Sequence, residues 1–357
     1  MVVVIPDEWH PKIEDIVLKY SPGGKIVVLG AKGAGKSTFV RLLSDAFLKS
    51  KLVESVGILE TDCGQPDKSP PGTLNLLYKS DAGGRCVHRI VSQRFLGFVN
   101  PGSDPFAYTS LVEDIFADFG DSQLPLIVNC HGWSTGCGRE TWDAVVSIVV
   151  PDLVVHIGQE DDGLFTASSV FGYTGLSSVL CMAVCKVITV EDDEKFHQLG
   201  SSDKRWAKIA SHFRPCTFVA STLRDFFQSK FIARIDLCGK RLVVNGGDLC
   251  GVSDWSLVEK RLVGLCAKGQ FVCLGFVDTQ TYVFVPRRIP HKYICEIDEI
   301  VCGSDLSWTP RDSVCFRGKR TIVNFDDRDD FFLPHVLGGN GAARTASTRT
   351  NLKRQHT

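Results

Sequence analysis

No apolar run in this chain reaches the ~18–20 residues that a membrane span requires, so no span is expected. The opening Met1-Val-Val-Val-Ile-Pro6 is apolar but short and has no basic flank, so no secretory leader is expected. Excess charge of either sign is absent too. Forty basic residues face 41 acidic ones, for a net charge of −1. Any surface for an acidic polymer must therefore be a local patch. The fourteen cysteines lack zinc-site spacing. Cys181 and Cys185 stand four apart, with no second pair to complete a tetrahedral set. Others lie inside apolar runs, as in Leu265-Cys266 and Val272-Cys273-Leu274. Without a leader, they read as reduced core residues of a cytosolic or nuclear protein. No internal repeat is visible.

What is present suits a globular chain. The 357 residues are 44% apolar and 23% charged, enough to bury a sizeable core in one large domain or two unequal ones. In the first half, apolar runs at Lys25–Leu29, Val56–Leu59, Pro125–Cys130 and Leu153–Ile157 predict strands. Helical spacing at Ser37–Lys49, Leu111–Phe119 and Glu140–Val149 falls between them. This alternation predicts an α/β fold, a mainly parallel sheet flanked by helices. After about Phe227, short strands at Arg241–Val244, Val272–Val277 and Thr281–Val285 predict a small β-rich module. The expected division is 1–229, 230–336, and a basic, disordered tail at 337–357, a solvated end that could also add nonspecific affinity for an acidic polymer.

Gly30-Ala-Lys-Gly-Ala-Gly-Lys-Ser-Thr38 satisfies G-x-x-x-x-G-K-[ST], between a strand and a helix. Backbone N–H groups of such a turn converge on phosphate, aided by the positive end of the following helix. Gly30, Gly33 and Gly35 allow close approach and unusual dihedrals. Ala31, Lys32 and Ala34 complete the cradle. Lys36 is expected at the β- and γ-phosphates, Ser37 at Mg²⁺, and Thr38 at phosphate. No Asn-Lys-x-Asp guanine reader is present, which favours ATP.

Asp62 follows the second strand, where a carboxylate could hold Mg²⁺ or accept the proton of an attacking hydroxyl. Asp62-Cys-Gly also suits a turn. Glu60, two residues earlier, would share its face and is the alternative carboxylate. Gln65 could orient the nucleophile.

From here the chain resembles the polynucleotide 5′-hydroxyl kinases of RNA processing, closest to their nucleolar pre-ribosomal-RNA branch. Asp62-Cys-Gly-Gln65 resembles the D-x-x-Q element, and Pro66-Asp-Lys-Ser-Pro-Pro-Gly72 the stretch after it. Arg94-Phe-Leu-Gly-Phe-Val-Asn-Pro101, with Asp104-Pro105 and Tyr108, is similar to a segment that clasps the RNA end. Pro125–Gly136 resembles the lid, usually N-T-x-G-W-[VI]-K-G. Leu223-Arg224 with Phe226-Phe227 is similar to a segment closing the kinase domain, and Gly275–Asp278 with Phe284–Pro286 to the branch's C-terminal module. The resemblance implies transfer of the ATP γ-phosphate to a 5′-hydroxyl end of RNA or DNA, an endoribonuclease partner and a nucleolar location.

The chain departs from that pattern at three points. Ser134-Thr135 follow Gly132-Trp133 where the lid lysine is usual, Cys130 replaces the usual threonine, and only about thirty residues of this sequence precede the loop, where the family carries a β-rich domain. Arg139 could supply the missing lid cation, or be a solvated helix residue. Trp133 could stack on the RNA end, or fill a core. His131 reads as structural. Arg94, Lys32 and Arg224 are candidate phosphate contacts. The alternatives are an ATP-binding scaffold subunit of an RNA-processing complex and a P-loop ATPase switch.

Overall fold

The computed structural model describes residues 2–158, 178–188, 205, 208–209, 212–213, 232–245, 255–258, 261–277, 282–286, 289–303, 306–309, 313–316, 319–322 and 333–336. The chain divides into two compact units. One comprises residues 1–69, 73–94 and 104–195; the other comprises 70–72, 95–103 and 196–357.

The first unit opens with β1 (Val2–Val4) and α1 (Trp9–Leu18). Trp9, Ile13, Ile16 and Val17 recur at helical spacing and form the buried face of α1. Next come β2 (Lys25–Gly30), α2 (Lys36–Ser50), β3 (Ser55–Glu60), β4 (Thr73–Asp81) and β5 (Cys86–Phe95). Then follow α3 (Pro105–Ala117), β6 (Leu126–Asn129), α4 (Cys137–Val149), β7 (Leu153–Ile157), β8 (Ser178–Met182) and β9 (Lys186–Ile188).

Seven strands form one sheet in the order β5-β4-β3-β6-β2-β7-β8. The five from β3 to β8 are mutually parallel. Their interior positions are apolar on both faces, because helices cover a parallel sheet on both sides. Ile26, Val28, Phe39, Leu43, Phe47, Ile58, Ile127 and Val155 belong to one core cluster. Full burial of each large side chain contributes about 1.5–3 kcal/mol.

The sheet is extended by three strands that the sequence reading did not foresee, β4 and β5 at one edge and β8 at the other. β4 runs antiparallel to β3. The few residues between β4 and β5 can join only antiparallel neighbours. Apolar periodicity is broken here by buried polar residues. Lys79 is 2% exposed. Its amino group donates to Ser44 Oγ at 2.7 Å and Arg41 O at 3.3 Å, and pairs with Asp45 at 2.7 Å. The helix expected from Leu111 starts earlier, at Pro105. Asp104 caps it by accepting from Ala107 N at 2.9 Å, and proline suits its first turn.

The second unit holds a six-stranded sheet: β10 (Ile232–Asp236), β14 (Tyr282–Pro286), β13 (Gln270–Val277), β12 (Leu262–Ala267), β15 (Glu299–Gly303) and β11 (Arg241–Asn245), in that order. Leu242, Val263, Leu265, Cys273, Val283 and Ile300 are in its core. Residues 95–103 of the clasp-like segment belong to this unit. Phe95 stacks on Phe271 with centroids 5.4 Å apart. A Cβ on Gly97 (φ +79°) would stand 2.6 Å from Gly303 N, so glycine is needed for the two backbones to meet. The 337–357 tail and Arg224 lie outside the described residues.

Candidate functional site

β2, β3 and β6 all end at the same edge of the sheet, where ligands of open α/β folds bind. β2 leads into the glycine loop and α2 leads out of it. Gly30, Gly33 and Gly35 have φ of +150°, +82° and +110°, in or near the conformations that favour glycine. Close packing adds a second demand at two of them. A Cβ on Gly30 would be 2.5 Å from Ile157 O, and one on Gly35 would be 2.5 Å from Cys185 Cβ and 3.0 Å from the Trp9 ring. Cys185 N donates to Ala34 O at 2.9 Å, and Trp9 Nε1 to Ala183 O at 2.9 Å. The loop therefore rests on α1 and on the segment after β8.

Lys36 is buried, and its amino group donates to Gly30 O at 2.8 Å and Ala31 O at 3.1 Å. Burial lowers its pKa, opposed first by the charge of Asp62 and less by that of Glu60. Both carboxylates of the sequence reading are thus in the field of this ammonium. Ser37, one residue on, is exposed.

Asp62 forms the turn that its sequence allowed. Its Oδ1 accepts from Gly64 N and Gln65 N, each at 3.0 Å. This aligns the Asp62–Gln65 backbone just beyond β3. Tyr108, fully buried on α3, donates to Thr61 O at 3.1 Å and pins the residue before it. Burial raises the Tyr108 pKa well above the usual phenol value, so it acts as a donor.

Glu60 is 3% exposed, and its Oε2 accepts from Asn129 Nδ2 at 2.9 Å. The same Nδ2 lies 3.3 Å from Ser37 Oγ. Asn129 Oδ1 is buried with no hydrogen-bond partner. Asn129 was not singled out from the sequence, because the contacts that give it meaning lie 69 and 92 residues away. Ser37 and Glu60 also line one cleft of about 230 Å³ beside α2, with Arg41, Lys68 and His88.

After β6 come Cys130, His131 and Gly132. Burial pushes the Cys130 thiol up to about 12, so it stays protonated. Thr141 Oγ1 donates to Gly138 O at 2.8 Å, so His131 Nε2–H must donate to Thr141 Oγ1, also at 2.8 Å. His131 Nδ1 accepts from Trp133 N at 3.3 Å. A neutral ring satisfies both bonds, and burial brings the His131 pKa down to about 3. His131 is a structural bracket, as the sequence suggested. Gly132 meets the phosphate loop directly: a Cβ there would stand 2.8 Å from Lys32 Cα.

The remaining expected residues lie around this centre. Trp133 is half-buried, and its ring covers Gly138 at the start of α4. Arg139 lies in the first turn of α4, where its charge lowers the pKa of Asp143, opposing a larger upward push from burial. Arg94 donates to Ser92 Oγ at 2.7 Å and Asp118 Oδ2 at 2.9 Å. The site thus gathers the loop, Glu60, Asp62, Asn129 and Gly132, while the Arg94 guanidinium is tied to Asp118. Among the described residues, no group of three or more His, Cys, Asp or Glu side chains could hold a metal by itself.

Residues 30–198 match the family described as mRNA cleavage and polyadenylation factor CLP1 P-loop. The chain is 30% identical over 175 residues to the polynucleotide 5′-hydroxyl-kinase GRC3 of Gibberella zeae, covering 44% of this chain and 24% of that protein. It is 32% identical over 168 residues to the polynucleotide 5′-hydroxyl-kinase NOL9 of Arabidopsis thaliana, covering 43% of this chain and 45% of that protein. The chain thus spans about a quarter of the first relative's length and under half of the second's. Among solved structures, the wild-type Clp1p–Pcf11p (454–563) complex matches with a TM-score of 0.59 at 13% identity, over 83% of this chain and 77% of that one. That likeness is one of fold. The resemblance read from the motifs is therefore matched in sequence over less than half of the chain, residues 30–198 in the family model.

Proposed function

We propose that this chain transfers the γ-phosphate of ATP to the 5′-hydroxyl end of RNA, in pre-ribosomal-RNA processing. One observation carries the reading: the glycine loop, its lysine, two carboxylates and the lid-like Gly132 converge at the end of one sheet. The similarity to proteins named polynucleotide 5′-hydroxyl kinases supports it.

In this reading Gly30, Ala31, Lys32, Gly33, Ala34, Gly35, Lys36, Ser37 and Thr38 hold the ATP phosphates. Lys36 exchanges its bonds to Gly30 O and Ala31 O for phosphate oxygens. The residues also fit Mg²⁺. Such an ion keeps several waters and takes one or two protein ligands besides phosphates. The Ser37 hydroxyl, the nearby carboxylates and the unpartnered Asn129 Oδ1 offer that mixture. When bound, Mg²⁺ supplies charge neutralisation on the β- and γ-phosphates. Asp62 serves the metal or the proton of the attacking hydroxyl. Gln65, Trp133 and Arg94 receive the RNA end, Arg94 by leaving Asp118, and Arg139 closes the lid in place of the usual lysine. An endoribonuclease supplies the 5′-hydroxyl, and the chain works in the nucleolus.

The test is transfer of labelled γ-phosphate to a short RNA bearing a 5′-hydroxyl, with 5′-phosphorylated RNA as control. Label on the 5′-hydroxyl RNA alone, lost with Lys36→Ala, is the expected outcome. ATP binding without transfer would favour a second reading, an ATP-binding scaffold subunit. That reading draws on Ser134-Thr135 in place of the lid lysine and on the involvement of Arg139 with Asp143.

A further inference from the structure

We infer that Glu60, steered by Asn129, is the carboxylate on the metal side of the site. The role of Asp62 as acceptor of the hydroxyl proton belongs to the proposed kinase reaction and rests on that reading; the Glu60 assignment requires only that the chain bind ATP with Mg²⁺.

The argument begins with strand order. In P-loop proteins the loop Ser or Thr and a nearby acidic side chain share the metal. The described neighbours of β2 are β6 and β7. β6, the one lying between β2 and β3, ends in Asn129, an uncharged amide. The carboxylate comes from the next strand over: Glu60 ends β3 and is paired in register with Asn129. The amide spans the gap, reaching Glu60 Oε2 at 2.9 Å and Ser37 Oγ at 3.3 Å with one nitrogen.

This arrangement orients the carboxylate. An amide nitrogen only donates, so Glu60 Oε2 is an acceptor and is held facing Asn129. Exchanging the amide's O and N would leave Glu60 without that donor. The buried, unpartnered Asn129 Oδ1 costs about 1–3 kcal/mol. That cost would be relieved by a donor admitted together with a bound ion. Ser37 and Glu60 line the same cleft, so water and ion have access to both.

Asp62 is held differently. One of its oxygens, Oδ1, is committed to the turn N–H groups of Gly64 and Gln65. That fixes the plane of the carboxylate and directs the pair of bonds to backbone, with no link to Ser37. In the transfer step the 5′-oxygen forms a bond to the γ-phosphorus. The bond from that phosphorus to the β–γ bridging oxygen breaks, and ADP leaves with its electron pair. The hydroxyl proton passes to the Asp62 carboxylate.

The experiment titrates Mg²⁺ into protein with ATP and no RNA, reading nucleotide binding, and repeats it in EDTA. Glu60→Gln, nearly isosteric, should raise the Mg²⁺ needed for half-maximal binding about tenfold. Its ATP affinity in EDTA should match the unaltered chain. Asn129→Ala should shift the requirement in the same direction by less. Asp62→Asn should leave the requirement unshifted while RNA phosphorylation is lost. Where Glu60→Gln does not melt cooperatively, Glu60→Asp replaces it, with a shift of the same sign expected. An unshifted Mg²⁺ requirement in the Glu60 variant, or the shift appearing in Asp62→Asn instead, overturns the assignment. Glu60-dependent Mg²⁺ binding in a chain that phosphorylates no RNA would sink the kinase reading and the Asp62 role alone. No ATP binding by the unaltered chain would overturn both.

Discussion

His131 shows how much a single side chain's neighbours can dictate. One ring nitrogen must donate to Thr141 and the other must accept from Trp133 N, so a second proton has no place. Its pKa falls to about 3 in the folded chain, against 6.5 for an unhindered histidine. A depressed folded pKa means that the unfolded chain binds the extra proton first as pH falls. This contribution to stability is therefore full above pH 6.5 and is lost progressively towards pH 3. Between pH 7 and pH 5 the loss is about 2 kcal/mol. His131→Gln keeps a donor for Thr141 and does not titrate. Denaturant unfolding at the two pH values should show the difference reduced by that amount in the variant. An equal pH dependence would mean that His131 is protonated, or exposed, in the folded chain. Lys36→Ala belongs to the same scale. It removes an ammonium that lies in the field of both carboxylates, and transfer should fall below detection in the labelled-phosphate assay.

At the scale of elements, the phosphate loop and the lid-like turn press on each other through glycines. Gly132 does not need an unusual φ; it needs room, because a Cβ would stand 2.8 Å from the Lys32 backbone. Gly33 is the opposite case, with φ +82° and nothing within 4 Å of a new Cβ. Gly132→Ala must move the loop itself, and ATP affinity should drop by tenfold or more, since displacements of ~1 Å can cost about 10²-fold. Gly33→Ala pays only backbone strain, about 1–2 kcal/mol of stability. Calorimetric titration with ATP separates the two; equal losses would mean that strain, not crowding, limits the loop. Strand, loop and helix were legible here because a buried parallel strand is a continuous apolar run and the glycine spacing is rigid. β7 matches its expected span, Leu153–Ile157. β4 and β5 were not legible. Asn75 and Lys79 are polar but buried, while Val87, Ile90 and Val91 are apolar but exposed, so neither strand shows a clean alternation. The Glu60–Asn129–Ser37 link is invisible to any local pattern, since each residue looks ordinary until the sheet brings the three together.

At the scale of the whole molecule, the two units are not two stretches of chain. Residues 70–72 and 95–103 leave the first unit's sequence and belong to the second unit. Phe95, Leu96 and Phe98 are at most 4% exposed. A chain cut after Lys195 would keep these three side chains and lose Phe271 and Gly303, against which the segment packs. Each stripped aromatic or leucine forfeits about 1.5–3 kcal/mol of burial. The truncated chain should therefore bind a hydrophobic dye and melt at a lower temperature than the full chain, followed by circular dichroism. A dye-silent truncation with an unchanged melt would show that the segment repacks without its partner.

Trp9 carries a last consequence. Its ring would lie 3.0 Å from a Cβ on Gly35 and meets Phe39 edge-on at 5.3 Å, while its N–H is bonded to Ala183 O. An indole in that position is a built-in optical probe of the phosphate loop. Its emission should shift if the loop repacks on gripping a phosphate chain, and Trp9→Phe separates its share from that of the other five tryptophans. Occupancy of the site should thus be readable from intrinsic light alone, without a label and without turnover.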